Sequence, residues 1–351
     1  MKFNFILLLF FSNCVFGGMQ SIEVIEKNKR EKSNESNKEL ISKFAQWGDN
    51  EVLARYTDVT GTRRHVDVSL GFRYLMTNTP LPKGDKSEYA VAIAYQGEFD
   101  FFALTRNSSP VVTTRHNPSI FYTKVWDPDK LGLSSWVLSF EHESNGQVTD
   151  TQARLDAVIE GFQKDYENDL SVSDSELLEM AQQTISRSNN FLGFGINYQI
   201  GKDKEKDKYK SDCLVLFDCI HIFGKIRYQL DKDPEDNLWW QEGQSDKLKD
   251  YVGTEIDVSS PFYLWNLKSS LRLTYRTGQL LGASPFKNHT FDLRYYIDLP
   301  IGRALAKVFE WDNAELFALP VVLRYHSGYL DELYNYSQRV NYVAVGLHAR
   351  Y

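Results

Sequence analysis

Residues 136–147 read WVLSFEHESNGQ, and this run decides how the rest of the chain is interpreted. Side chains two positions apart on a β-strand point to the same face. One face of this run therefore carries an apolar stripe that ends in two polar groups: Trp136, Leu138, Phe140, His142 and Ser144. In a soluble sheet the stripe would point into a core. In a membrane barrel it would point into lipid, with the histidine and the serine where lipid meets water.

The same alternation recurs along most of the chain in runs of about ten residues, the length that a tilted strand needs to cross a bilayer. Clear alternation covers seven further segments: 66–74, 89–95, 192–200, 267–276, 291–299, 317–325 and 341–351. Four weaker segments, near 50–58, 118–127, 221–230 and 249–258, bring the count to about twelve. An even number is typical of bacterial barrels whose two ends lie in the periplasm.

The second face of several strands carries Arg, Lys and Asp, which separates two all-β folds. The core of a secreted β-sandwich would not accept such groups unpaired, whereas a polar barrel interior would. Aromatic residues make up 14% of the chain, with 20 Tyr and 22 Phe, and aromatic girdles flank transmembrane barrels. The pattern predicts an all-β fold over residues 48–351, a transmembrane antiparallel β-barrel of about twelve strands.

The N-terminal residues and the charge indicate where the protein is found. Residues 1–18 combine one lysine, an apolar run and small residues, as in a secretory signal peptide. Residues 19–47 are polar and predict a periplasmic segment ahead of a barrel in the bacterial outer membrane. The formal charge of −7 gives no indication of nucleic-acid binding. Cys213 and Cys219 could form a local disulfide in an oxidising compartment, but not if both lie within one strand.

Residues 148–185 break the strand pattern between Ser144 and the strand that begins near Ser188. Leu155, Val158, Ile159 and Phe162 follow helical spacing instead. If Ser144 lies at the outer rim, this segment is a helical extracellular insertion. A plain surface loop, a lid over a site and a partner-binding element are three interpretations that the residues leave open.

The polar end of the stripe has the residue types of a serine esterase. A serine hydroxyl needs a neighbouring base, and the base needs a third group that fixes its tautomer. His142 and Ser144 share one strand face, and Asn190 lies in the facing row of the next strand, where it could accept a hydrogen bond from the histidine. The Gly146 amide could point at a developing oxyanion. The alternative is a non-catalytic barrel, a porin or an adhesin, in which the histidine and the serine are ordinary interfacial residues.

Two runs together resemble the signature of a known family: His142-Glu-Ser144-Asn-Gly146, followed by Ser186-Arg-Ser-Asn-Asn190. This pair is similar to the active-site motif of bacterial outer-membrane phospholipase A, a twelve-stranded barrel esterase. Three further stretches resemble the same family: 108–110, the acidic run 231–237, and 325–329. The similarity covers most of residues 50–351.

The resemblance implies a Ser144–His142–Asn190 triad with the Gly146 amide in the oxyanion hole. It implies an enzyme that hydrolyses acyl esters of membrane phospholipids from the outer-leaflet side. It also implies activation by formation of a homodimer.

The resemblance further implies dependence on calcium. The corresponding ligands are the Gln147 carbonyl, the Ser186 hydroxyl and Ser108 of a second subunit, with water completing the six to eight oxygens that Ca²⁺ prefers. In the family the two halves of the signature are only a few residues apart, whereas here residues 148–185 separate them. This departure bears most directly on Ser186. A second departure is Asn189, which stands where the family has an aromatic residue.

Overall fold

Twelve antiparallel strands close into a barrel in the computed structural model. The structure describes residues 44–46, 48–57, 66–77, 88–101, 111–125, 132–149, 151–167, 173–200, 216, 219–230, 250–265, 267–280, 288–300, 318–329 and 338–349. The chain divides into units 1–45 and 46–351; of the first, only the start of the short strand β1 (Phe44–Gln46) is described. The predicted signal peptide and most of the predicted periplasmic segment lie outside the described residues.

The barrel strands follow one another in chain order, and the last strand pairs with the first. They are β2 (Glu51–Thr57), β3 (Val66–Leu75), β4 (Glu88–Phe101), β5 (Val111–Val125), β6 (Leu133–Ser144), β7 (Ser188–Ile200), β8 (Ile220–Gln229), β9 (Thr254–Leu264), β10 (Leu267–Thr277), β11 (Thr290–Leu299), β12 (Leu319–Gly328) and β13 (Val340–His348). β13 pairs with β2, and β3 pairs with β4, so these twelve strands form a closed ring. The predicted fold class is confirmed.

The barrel is apolar outside and polar inside, the reverse of a soluble protein. On β6, Phe140 is 46% exposed while its neighbour Glu141 is 2% exposed. The same contrast occurs on β11, where Phe291 is exposed and Asp292 is buried. Alternation of outward apolar and inward polar residues is the pattern of a barrel that crosses a membrane.

Ion pairs hold the interior together. On the inner wall, Asp292 contacts Arg294 at 3.0 Å and Arg324 at 2.6 Å, and Asp49 bonds to both Arg272 and Arg294. Two cavities of about 430 and 400 Å³ lie in the lumen, and most of the residues that line them are polar or charged. Buried charges of opposite sign therefore satisfy one another inside the barrel.

Strand boundaries differ from the sequence prediction in several places. β5 begins at Val111 rather than near residue 118, because Pro118 lies within the strand on its exposed face instead of marking its start. Its missing N–H leaves a gap in the hydrogen-bond ladder with β6. β9 begins five residues later and ends six residues later than the predicted 249–258. β13 ends at His348, and the C-terminal Tyr351 lies outside the described residues.

Between β6 and β7 the predicted helical insertion forms two helices, α1 (Gln152–Asp165) and α2 (Asp174–Gln182). They share a small core of Leu155, Ala181 and Ile185, against which Val158, Ile159 and Phe162 pack. At the base of the insertion, Ser186 N–H donates to the Thr149 carbonyl at 2.8 Å. Neither helix of the described chain is long and apolar enough to span a membrane.

Candidate active site

β6 carries the candidate residues on its outer face at the rim of the barrel. His142 and Ser144 are partly exposed, whereas the alternate residues Glu141 and Glu143 are buried inside. The apolar side chains of Leu138 and Phe140 continue the outer stripe away from the rim. The site therefore faces outwards, on the surface that would contact lipid, and its residues line neither cavity of the lumen.

Ion pairs on the inner face fix β6 against strands on both sides. Glu141 contacts Lys225 at 2.5 Å and Arg227 at 3.1 Å, both from β8. Glu143 contacts Arg115 of β5 at 2.7 Å. Successive side chains of a strand point to opposite faces. The ion pairs that hold Glu141 and Glu143 inside the barrel therefore keep His142 and Ser144 on its outer face.

The pairs to β8 must pass over the intervening strand β7, and Gly193 makes room for them. A Cβ built on Gly193 would overlap the Ser139 hydroxyl and lie 2.9 Å from Glu141 Oε1 and 3.1 Å from Lys225 Cε. Ser139 in turn donates a hydrogen bond to Glu141 Oε1 at 2.5 Å. The absence of a side chain at position 193 is therefore what allows a carboxylate on β6 to reach an ammonium group on β8.

Asn190 lies directly opposite His142 in the β6–β7 register. His142 Nδ1 is 3.0 Å from Asn190 Oδ1. An amide oxygen can only accept, so Nδ1–H is the donor and Nε2 is left with its lone pair, as a general base requires. Asn189, the departure from the family pattern, points inward, is buried and accepts a hydrogen bond from the Gln229 side chain.

Ser144 is flanked in the register by His116 of β5 and Ser188 of β7. Among the described residues, its hydroxyl makes no hydrogen bond with His142. The two side chains share a face two residues apart, so a change of side-chain rotamers can bring them together. Contacts of this kind are often long in ligand-free enzymes and close when substrate binds.

The turn after Ser144 is held by Asn145, which is fully buried. Its Nδ2 donates to the Ile185 carbonyl at 2.6 Å, and its Oδ1 accepts from Arg187 N–H at 2.9 Å. Gly146 follows with φ of +66°, a conformation that glycine adopts without strain. The Gly146 amide, the predicted oxyanion donor, thus belongs to a turn fixed by both ends of the insertion.

Two of the three predicted calcium ligands are in the described part of the chain. Gln147 lies between Asn145 and Thr149, and both of these bond to residues 184–187, the segment that contains Ser186. Ser108 lies outside the described residues. The described chain contains no cluster of three or more His, Cys, Asp or Glu side chains that could hold a metal. Carbonyl and hydroxyl oxygens are donors that Ca²⁺ accepts, so the residue types fit, but two neutral oxygens leave most of the shell to water and a second subunit.

The structure brings two further residues to the site that the sequence analysis did not select. His116 lies on the outer face of β5, and its Nδ1 is 2.5 Å from the Tyr95 hydroxyl of β4. The ring also faces the turn, since a Cβ built on Gly146 would lie 3.2 Å from both Cδ2 and Nε2 of His116. A signal was present, because His116 has the same parity as the outward residues of β5, but the predicted strand began two residues after it.

Disulfide bonding is settled for one cysteine. Cys219 is disulfide-bonded. Both other cysteines of the chain, Cys14 and Cys213, lie outside the described residues.

Fold and site together define a class: a β-barrel of the outer-membrane type with a serine and a histidine–asparagine pair on its outer face at the rim. No family model matches the sequence, and no curated protein matches it. Solved structures do match. Outer membrane phospholipase A from Escherichia coli is 13% identical, with a TM-score of 0.54 over 87% of this chain and 91% of that one. An active-site mutant of that protein matches at 12% identity, with a TM-score of 0.54 over 88% and 91%.

The outer membrane phospholipase of Salmonella typhi, solved as a dimer with bound calcium, is 13% identical. It aligns with a TM-score of 0.51 over 87% of this chain and 91% of that one. The resemblance to outer-membrane phospholipase A seen in the sequence is thus confirmed for the fold.

Proposed function

We propose that this protein is an outer-membrane phospholipase that hydrolyses acyl ester bonds of phospholipids and lysophospholipids. Ser144 is the nucleophile, His142 the general base and then the general acid, and Asn190 the group that orients the histidine. The observation that carries the proposal is the 3.0 Å His142–Asn190 hydrogen bond, two residues from Ser144 on the outer face of the barrel. The likeness to solved phospholipases supports it.

The reaction follows from the roles of these groups. Ser144 Oγ attacks the ester carbonyl carbon and passes its proton to His142 Nε2, while the carbonyl electron pair moves onto oxygen. The Gly146 amide donates to that oxyanion. When the tetrahedral intermediate collapses, the ester C–O bond breaks and His142 returns the proton to the departing glycerol oxygen. Water then cleaves the acyl-serine by the same steps and releases the fatty acid.

The outer surface near the site suits acyl chains. Leu138 and Phe140 of β6 and Leu192 and Phe194 of β7 are between 42% and 46% exposed. They form an apolar strip that runs from the rim into the region that lipid would cover. A phospholipid that remains in the membrane could therefore place its ester at Ser144 and its chain along this strip. Asn190 suits this position because a neutral orienting group costs less to desolvate than a carboxylate does.

Calcium and a second subunit complete the proposal. The Gln147 carbonyl and the Ser186 hydroxyl would hold Ca²⁺ together with Ser108 of the second subunit and water. The bound ion would supply positive charge near the oxyanion. The Salmonella typhi neighbour, a dimer with bound calcium, supports both parts.

We also propose the outer membrane as the location, with the site at the outer-leaflet side. Residues 1–18 would be the signal peptide and residues 19–47 a periplasmic segment. On this orientation the helical insertion is extracellular.

Fatty-acid release from phospholipid in mixed micelles tests the proposal. Ser144→Ala should lose several orders of magnitude in rate. Ser327→Ala is the matched control, because Ser327 ends the outward series Leu323, Tyr325, Ser327 at the same rim on a distant strand. A chelator should suppress the wild type and added Ca²⁺ should restore it.

Three results would contradict parts of the proposal. Serine-dependent release that is indifferent to chelator would remove calcium and keep the triad. Release that does not rise with acyl-chain length would favour an esterase for soluble substrates. No release by the folded wild type, or equal release by Ser144→Ala, would favour a non-catalytic porin or adhesin.

A further inference from the structure

We infer that His116 is a second hydrogen-bond donor to the oxyanion and that Tyr95 is the residue that positions it. The inference rests on the proposed function, since it assigns a role within the same site. It adds to the Gly146 amide a donor from a neighbouring strand that the sequence motif does not contain.

The register places His116 next to the nucleophile. β5 pairs with β6 so that His116 lies directly opposite Ser144. Its ring extends towards the turn rather than away from it, because the position of a Cβ on Gly146 is 3.2 Å from His116 Nε2. The imidazole edge that carries Nε2 therefore lies next to Gly146, on the residue that faces Ser144 in the register.

The hydrogen-bond partner of Nδ1 determines whether Nε2 carries a proton. Tyr95 has one hydroxyl proton, and its oxygen is 2.5 Å from His116 Nδ1. When Tyr95 donates to Nδ1 of the neutral ring, the ring proton is on Nε2. When the ring is charged, Nε2 carries a proton as well. Nε2 makes no hydrogen bond within the described part of the chain, so its N–H is available to a substrate oxygen.

Aromatic contacts hold the ring in this orientation. The Tyr95 ring lies 5.9 Å from the His116 ring, and Phe99 meets it edge-on at 5.8 Å. A donor that is already oriented stabilises the oxyanion without the cost of reorganisation during the reaction. His116 exchanges no proton in this step: the carbonyl electron pair moves onto oxygen, and the resulting charge is shared between the Gly146 N–H and the His116 Nε2–H.

The test compares His116→Phe with His116→Gln in the phospholipid assay. Phenylalanine keeps the ring but has no donor, and should lower kcat about 100-fold or more with KM nearly unchanged, as loss of an oxyanion donor does. Glutamine carries an N–H about as far from the backbone as Nε2 of histidine. The kcat of His116→Gln should therefore be at least tenfold higher than that of His116→Phe. Tyr95→Phe keeps the aromatic ring but removes the hydroxyl that bonds to His116. Its kcat should lie between those of the wild type and His116→Phe.

The chain contains a matched control for the tyrosine–histidine pair. Tyr275 and His289, at the same rim of the barrel, have stacked rings and an oxygen-to-Nδ1 distance of 2.7 Å. His289→Phe should keep wild-type kcat. Heat-modifiable migration in gels would show that each variant is folded.

The outcomes separate this inference from the proposed function. If Ser144→Ala is inactive while His116→Phe matches His289→Phe within about twofold, the phospholipase stands and the inference is wrong. If glutamine and phenylalanine at position 116 are equally impaired, or KM alone changes, His116 acts through packing and the inference is again wrong. If the folded wild type shows no serine-dependent release, the proposed function fails and the inference fails with it.

Discussion

Replacing Gly193 with alanine should destabilise the barrel from its inside while leaving the outer surface unchanged. The added methyl group would occupy the space of the Ser139 hydroxyl and approach Glu141 Oε1 to 2.9 Å. Overpacking of this kind costs about 1–3 kcal/mol. Displacing Ser139 also breaks its 2.5 Å hydrogen bond to a carboxylate, which contributes about 1.5–3 kcal/mol. The expected loss is therefore about 2.5–6 kcal/mol.

Equilibrium unfolding by denaturant in lipid vesicles, followed by tryptophan fluorescence, measures this loss. Gly224→Ala is the control, because among the described residues a Cβ there meets only Ile196 Cγ1 at 3.9 Å, and it should stay within about 0.5 kcal/mol of wild type. Ser139→Ala removes the oxygen that the new methyl group would overlap. In a double-mutant cycle it should therefore recover part of the Gly193→Ala loss.

Two results would contradict this prediction. A Gly193→Ala variant as stable as Gly224→Ala would mean that the ion pair between Glu141 and Lys225 does not depend on the missing side chain. Strict additivity with Ser139→Ala would mean that the new methyl group does not displace the Ser139 hydroxyl.

Three further predictions concern the site itself. Asn190→Ala should lower kcat by about 10²–10⁴-fold in steady-state kinetics, because His142 loses the acceptor that fixes its tautomer. Asn190→Asp keeps an acceptor and should retain more activity. Equal loss of kcat in the two variants would remove Asn190 from the mechanism. Asn145→Ala removes two buried hydrogen bonds, to the Ile185 carbonyl and from the Arg187 N–H, and should cost about 2–4 kcal/mol of unfolding free energy; an unchanged denaturation midpoint would contradict this. Gly146→Ala places a Cβ at positive φ, 3.2 Å from the His116 ring, and should reduce kcat with the barrel still folded; wild-type kcat would show that the turn can adjust.

The barrel could be predicted from the sequence because side chains alternate between the two faces of a strand. Long runs in which apolar and polar residues alternate therefore predict strands with an apolar outer face and a polar inner face. The same parity placed Asn190 in the row that faces His142, since a shift of one residue would have turned the apolar stripe of β7 inward. The helical spacing of residues 148–185 was equally readable. These features depend on neighbours along the chain.

Contacts between distant strands could not be predicted in this way. The weaker segment was predicted to begin near residue 118, although β5 begins at Val111, and His116 was therefore not recognised as a neighbour of Ser144. The ion pair between Glu141 of β6 and Lys225 of β8 crosses β7 at Gly193. It depends on three strands, and the sequence of any one of them does not predict it. Such contacts depend on register and on the curvature of the closed sheet.

Covalent labelling of the folded barrel with a long-chain fluorophosphonate, followed by mass spectrometry, tests directly whether Ser144 is the nucleophile. We expect one probe molecule per chain, located on Ser144, with labelling slowed about 100-fold or more in His142→Phe and unchanged in Ser327→Ala. No adduct on Ser144, or equal labelling of wild type and His142→Phe, would contradict the claim that this serine is an activated nucleophile at the lipid-facing rim.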